Sequence, residues 1–232
     1  MGESLLGVVG KTDNEARWPR FSEEELLAVA KVLSSGRVNY WTGNESELFE
    51  KEFVRYFGLN YGVAVANGTV SLEIGLQALG VGLGDEVIVP RRSFFASAAA
   101  ISRLGAVPVF VDVDPAFGNI TVESYLSGVS PKTKAVICVH LGGVPAPMKE
   151  ICELAEANGH YVVEDCAQAH GAHVNGQYVG SFGDVASWSF CQDKIISTGG
   201  EGGFISAKDE AVYRRCWSLK DHGKSLPSGA VY

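Results

Sequence analysis

The stretch "YGVAVANGTVSLEIGLQALGVGLGDEVIVP", residues 61–90, decides the fold. "YGVAVA" is short, apolar and bounded by turn residues, which reads as a buried strand. "TVSLEIGLQALG" has the length and spacing of a helix, and "DEVIVP" reads as a second strand. Two buried strands joined through a helix need a crossover, so they lie parallel in a sheet covered by helices on both faces.

The same alternation continues on either side. "FASAAAISRLG" predicts a helix, "VPVFVDV" and "KAVICVHL" strands, "MKEICELAEANG" a helix, and "YVVED" and "DVASWSF" strands. Upstream, "SEEELLAVAKVLSSG" has Ser22 and Glu25 in capping-box spacing and Gly36 at its end, and "NESELFEKEFVRYFG" predicts a second amphipathic helix. Downstream, "GGFISA" is apolar, and "KDEAVYRRCWSLKDHG" predicts a helix leading away from the sheet. The expected class is α/β, with three α/β/α layers around a mainly parallel, mixed sheet. Residues 1–20 read as an arm, 21–220 as the sheet domain and 221–232 as the start of a connection.

With 232 residues there is enough chain for one large domain. A net charge of −8 without long charge blocks argues against a nucleic-acid or anionic-membrane binder, which needs a basic stripe. The five cysteines form no C-x-x-C pair, which fits a reducing compartment better than a disulfide scaffold. No apolar run reaches a membrane span and the start has no secretory pattern, so a soluble, cytoplasmic protein is expected.

In such sheets ligands gather at the carboxyl ends of strands. "ANGTVSLE" passes from strand to helix through Asn67, Gly68 and Thr69, where a glycine admits close approach and free helix N–H groups suit a phosphate. A plain N-cap explains the same residues. Glu164 and Asp165 end a very apolar strand, where an acid needs a cation or several donors, or else caps the next turn. Gln168 lies three residues on. His170 and His173 have H-x-x-H spacing near Cys166 but no second ligand cluster, so no metal site is expected. Asp112 and Asp114 form a D-x-D of the kind metal-dependent glycosyltransferases use, although Pro115 makes a strand-to-turn exit sufficient explanation. The glycines of "GVGLGD" join a helix to a strand, the reverse of a dinucleotide fingerprint.

"FCQDKIISTGGEGG", residues 190–203, sets Lys194 between a buried strand and a loop almost without side-chain bulk. A lysine so placed can act as an amine nucleophile toward a carbonyl. With an acid to face a pyridinium nitrogen, a glycine-headed helix and Ser189 for a phosphate, and Phe94 to stack on a flat ring, these are the supports pyridoxal phosphate requires.

The order of motifs resembles the DegT/DnrJ/EryC1/StrS nucleotide-sugar aminotransferases, within the fold-type I pyridoxal phosphate enzymes. The matching stretches include "WTGNESELFEKEF", "SFFASAAAI", "GAVPVFVDVDP", "VHLGG", "VVEDCAQAHGA" and "SFCQDKIISTGGEGG", in the expected order from about residue 20. The resemblance implies that Lys194 carries the cofactor covalently and later shuttles a proton. Asp165 would hold the pyridine nitrogen protonated, Gln168 would bond the ring hydroxyl, and Phe94 would stack on the ring. Gly68, Thr69 and Ser189 would bind phosphate, while Glu201 would fix the loop. It further implies a nucleoside-diphosphate keto-sugar acceptor, glutamate as amino donor with a pyridoxamine phosphate intermediate form, and a homodimer. Gly142 replaces the aromatic of the common "VHLYG", and the lysine loop is one residue longer than "KNLTTGEGG". Members run well past this length, through a small domain that supplies an asparagine to the partner's cofactor phosphate, so the stretch reads as the large domain. A sugar dehydratase of the same fold replaces the lysine by histidine, which Lys194 argues against. A truncated, non-catalytic sugar-nucleotide-binding or partner-dependent module is the other reading.

Overall fold

The computed structural model describes residues 18–226. Most of the expected arm and the end of the expected connection lie outside the described residues. The chain divides into two compact units, Met1–Val38 and Asn39–Tyr232. In the first, α1 (Glu23–Ser35) starts with the capping box read from the sequence: Ser22 Oγ accepts from the Glu25 N–H, Glu25 returns to the Ser22 N–H, and Gly36 ends the helix in the left-handed region.

The second unit holds the sheet. Its elements in chain order are α2 (Glu45–Phe57), β1 (Tyr61–Val65), α3 (Gly68–Ala78), β2 (Glu86–Pro90), α4 (Phe95–Arg103), β3 (Val107–Val111), α5 (Val122–Ser127), β4 (Thr133–Val139), α6 (Met148–Asn158), β5 (Tyr161–Asp165), β6 (His173–Val174), β7 (Gln177–Tyr178), β8 (Val185–Ser189), β9 (Gly203–Ala207) and α7 (Glu210–Lys220). Seven strands form one sheet in the order β1-β9-β8-β5-β4-β2-β3, and β6 and β7 form a small separate hairpin. Only β9 runs antiparallel, to both β1 and β8, so the other six strands all end on one edge.

Strand alternation sends neighbouring side chains to opposite faces. Val163 joins the core under α3, α4 and α7, whereas Val162 joins the one under α5 and α6. On that second side α2 adds Phe53 and Phe57, packed on Trp188, Phe190 and Phe204. Central side chains such as Ile88, Ile137 and Val163 are fully buried, each contributing about 1.5–3 kcal/mol. The layers are thus α/β/α, as the alternation predicts.

One expectation is corrected. Helix α7 does not lead away from the sheet; it packs against α3, β1 and β9. Its Val212, Tyr213, Cys216 and Trp217 form one stripe at helical spacing and are all buried, so the helix covers the sheet like the others.

Candidate active site

The carboxyl edge gathers the expected residues from four strand ends. Asn67 caps α3, its side chain accepting from the Val70 N–H at 2.9 Å. A helix start leaves its first N–H groups without intrahelical partners, so Gly68 and Thr69 present theirs at this edge. A Cβ on Gly68 would stand 2.8 Å from Ser189 Cβ and 3.3 Å from its Oγ, and Ser187 Oγ donates to the Gly68 carbonyl at 3.2 Å. The α3 start and the β8 end therefore touch, and only a glycine allows it. A Cβ on Gly203 would stand 2.3 Å from the Asn67 carbonyl carbon, so a second glycine lets β9 pass the same turn. Gly68, Thr69 and Ser189 form a compact set of donors suited to a phosphate.

Asp165 ends β5 and is almost fully buried. Its Oδ2 accepts from Ser97 Oγ at 2.9 Å and its Oδ1 from the Ala167 N–H at 3.2 Å. Burial lifts its carboxyl above the ordinary range, while those two donors and the Lys194 charge oppose that shift. The Lys194 charge thus reaches Asp165, though the two come from different elements. Gln168 accepts from the Gly142 N–H at 2.7 Å, pinning the turn after β4 to the turn after β5. Phe94 ends the β2–α4 turn as the residue before α4, with its ring exposed.

Lys194 lies in the loop after β8. Its Nζ donates to Asp193 at 2.8 Å and holds that carboxyl below the usual range, so its sequence neighbour supplies a counter-ion. The loop is braced across its base: Phe190 N–H donates to the Gly202 carbonyl, Thr198 N–H to the Phe190 carbonyl, and Cys191 Sγ to Glu201. A Cβ on Gly199 or Gly200 would meet nothing within 4 Å, so open space borders the loop.

Most of the other acids and histidines singled out have structural partners. Glu164 Oε2 accepts from His140 Nε2 at 3.0 Å and the Gly180 N–H at 2.8 Å; its Oε1 accepts from the Phe182 and Gly183 N–H groups at 2.8 and 2.7 Å. The Ala146 N–H donates to His140 Nδ1, which fixes Nε2 as the donor. His140, Glu164 and Cys166 bring possible ligand atoms within 4.8 Å of one another, but those hydrogen bonds use the lone pairs a metal needs, and burial pushes the Cys166 thiol well up. Asp112 pairs with Arg91 at 2.9 Å, and Asp114 accepts from the Ala116 and Phe117 N–H groups, a turn role that accounts for the D-x-D. His173 is exposed on β6 beside Tyr178. His170 is buried against Trp188 and Phe190, and among the described residues neither ring nitrogen has a hydrogen-bond partner. Burial, and secondarily the Lys194 charge, hold it down to about 4.

Three features of this edge escaped the sequence reading: Ser97, the Lys194–Asp193 pair and the burial of His170. Two serines four residues apart at the start of a helix, Ser93 and Ser97, were the available signal for the first.

This seven-stranded sheet, with a lysine loop, a buried acid and a glycine-headed helix on one edge, has the fold of solved fold-type I aminotransferases. The model of the DegT/DnrJ/EryC1/StrS aminotransferase family matches residues 19–230, and the chain belongs to that family. It is 42% identical over 211 residues to UDP-N-acetyl-3-dehydro-α-D-glucosamine 3-aminotransferase of Acidithiobacillus ferrooxidans, a match covering 91% of this chain and 57% of that protein. The X-ray structure of an aminotransferase from Psychrobacter cryohalolentis superposes with a TM-score of 0.90 at 52% identity, covering 91% of this chain and 53% of that one. NtdA from Bacillus subtilis, solved with bound PMP, gives a TM-score of 0.83 at 28% identity, covering 95% and 51%. The chain therefore spans somewhat more than half the length of these relatives.

Proposed function

We propose that this chain is the cofactor-binding part of a pyridoxal phosphate-dependent aminotransferase that moves an amino group from glutamate to a nucleoside-diphosphate keto-sugar. The observation that carries the reading is the buried Asp165, hydrogen-bonded by Ser97 on the edge that also carries the α3 start and the Lys194 loop. Bound pyridoxal phosphate supplies a ring that draws electrons from the substrate carbon and carries the amino group between donor and acceptor. Lys194 Nζ holds the cofactor and moves the proton at the substrate carbon. Asp165 keeps a proton on the ring nitrogen, and Gln168 orients the ring hydroxyl. Phe94 covers one ring face, while Gly68, Thr69 and Ser189 take the phosphate. The glycines of the loop leave room for a sugar, and open space also borders Gly142 beside Gln168.

The reading includes a cytoplasmic homodimer. Its cytoplasmic part is supported by the free thiols of Cys138, Cys152, Cys166, Cys191 and Cys216. A surface cleft lined by Phe95, Ala98, Ala99, Pro108 and Phe110 offers apolar area to a second copy.

Borohydride reduction of the cofactor-loaded chain, followed by peptide mass spectrometry, tests the assignment. The expected adduct is on Lys194 and is absent from Lys194→Ala. An adduct retained in that variant would sink the reading. Native mass tests the dimer, and a panel of keto-sugar nucleotides with glutamate tests the substrates.

A further inference from the structure

Asp165 is held by more than the site reading requires. Ser97 is fully buried one turn into α4, on the helix face toward β5, and its Oγ reaches Asp165 Oδ2 at 2.9 Å. Ser93 Oγ stands 2.6 Å from Ser97 Oγ, and geometry alone leaves either hydroxyl as the donor. The carboxylate resolves the direction. An ionised carboxylate only accepts, so Ser97 gives it its single proton and must then accept from Ser93. Both hydroxyls point their protons inward, and hydrogen bonds aligned head to tail strengthen one another in a low-dielectric interior.

We propose that Ser97, backed by Ser93, is the positioning residue of this site: a two-hydroxyl relay that keeps the buried Asp165 carboxylate ionised and aimed at the ring nitrogen. The proposal rests on the reading of Asp165 as the partner of that nitrogen. It gives the β2–α4 turn two duties, because Phe94, assigned to the ring face, sits between the two serines. The remaining groups acting on Asp165 are the Ala167 N–H, His140 at the end of β4 and Lys194 from the loop after β8. His140 has both nitrogens engaged, by Glu164 and the Ala146 N–H, which leaves the serines as the adjustable donors.

Two readouts test the relay. In the chain without cofactor, carboxyl-carbon NMR follows the titration of Asp165. In the loaded chain, cofactor affinity and the pH dependence of its visible absorbance follow the consequence. Ser97→Ala is expected to move the Asp165 midpoint upward and weaken cofactor binding about tenfold, the loss of one charge-assisted hydrogen bond. Ser97→Thr restores both. Ser93→Ala, at the open end, gives a smaller shift in the same direction and keeps the test alive if Ser97→Ala does not fold. An unchanged Asp165 titration in a folded Ser97→Ala, or in Ser93→Ala where the former cannot be made, overturns the proposal. If the parent chain takes up no cofactor, the functional reading fails, while the NMR titration still decides the relay.

Discussion

Glu164 and Asp165 are adjacent acids at the end of one strand, and the fold treats them oppositely. Glu164 turns toward α6 and receives four donors, three of them backbone N–H groups. Asp165 turns toward α4 and receives two, so burial wins and its carboxyl is lifted. A carboxylate whose lone pairs are all used is fastening the segment around Gly180–Gly183 and the turn after β4. One that is buried and accepts only two hydrogen bonds has lone pairs left for a ligand.

The largest expected effect breaks the structural member. Glu164→Gln turns an amide donor toward groups that already donate, leaving at least one buried N–H unpaired. It should cost about 3 kcal/mol or more in urea unfolding. Asp165→Asn sharpens the contrast. With a raised folded value, stability is lost as pH climbs above the unfolded carboxylate value of 3.8 and through the folded one. The cofactor-free variant should therefore melt at the same temperature or higher at pH 7, while turnover falls roughly 100-fold or more. A clear drop in melting temperature would remove the distinction between the two acids.

His170, buried against Trp188 and Phe190, shapes the acid side of the stability profile. Its folded value of about 4 lies below the ordinary 6.5, so its contribution is present above 6.5 and lost as pH falls toward 4. The loss amounts to roughly 3 kcal/mol. His170→Phe should flatten the stability profile in that window, measured by denaturant unfolding at several pH values. The smallest effect belongs to the Lys194–Asp193 pair: Asp193→Asn should change stability by less than about 0.5 kcal/mol, because Asp193 is exposed and solvent screens it.

The main elements of the sheet domain were legible because runs such as "VIVP" and "YVVED" are apolar and bounded by turn residues. Helix α5 and the β6–β7 hairpin were not read, since six residues and two pairs of residues are too short to establish a period. The direction of α7 was misread because "KDEAVYRRCWSLKDHG" looks charged along the chain, and only its helical projection shows the buried stripe. Lys194, Asp165, Gln168, Ser189 and the Gly68 turn could be singled out from position at strand ends. Ser97 was not: the serine pair Ser93 and Ser97 marks the helix start locally, but nothing in it marks the partner 68 residues away.

The sequence by itself determined which chemical groups stand at the ends of the strands and in what order, since local patterning sets where each strand stops. It did not determine which neighbouring acid becomes a fastener and which faces the site. Alternation places Glu164 and Asp165 on opposite faces, but the donors waiting on each face come from residues 140, 180–183 and 97, brought there only by the packing of the layers.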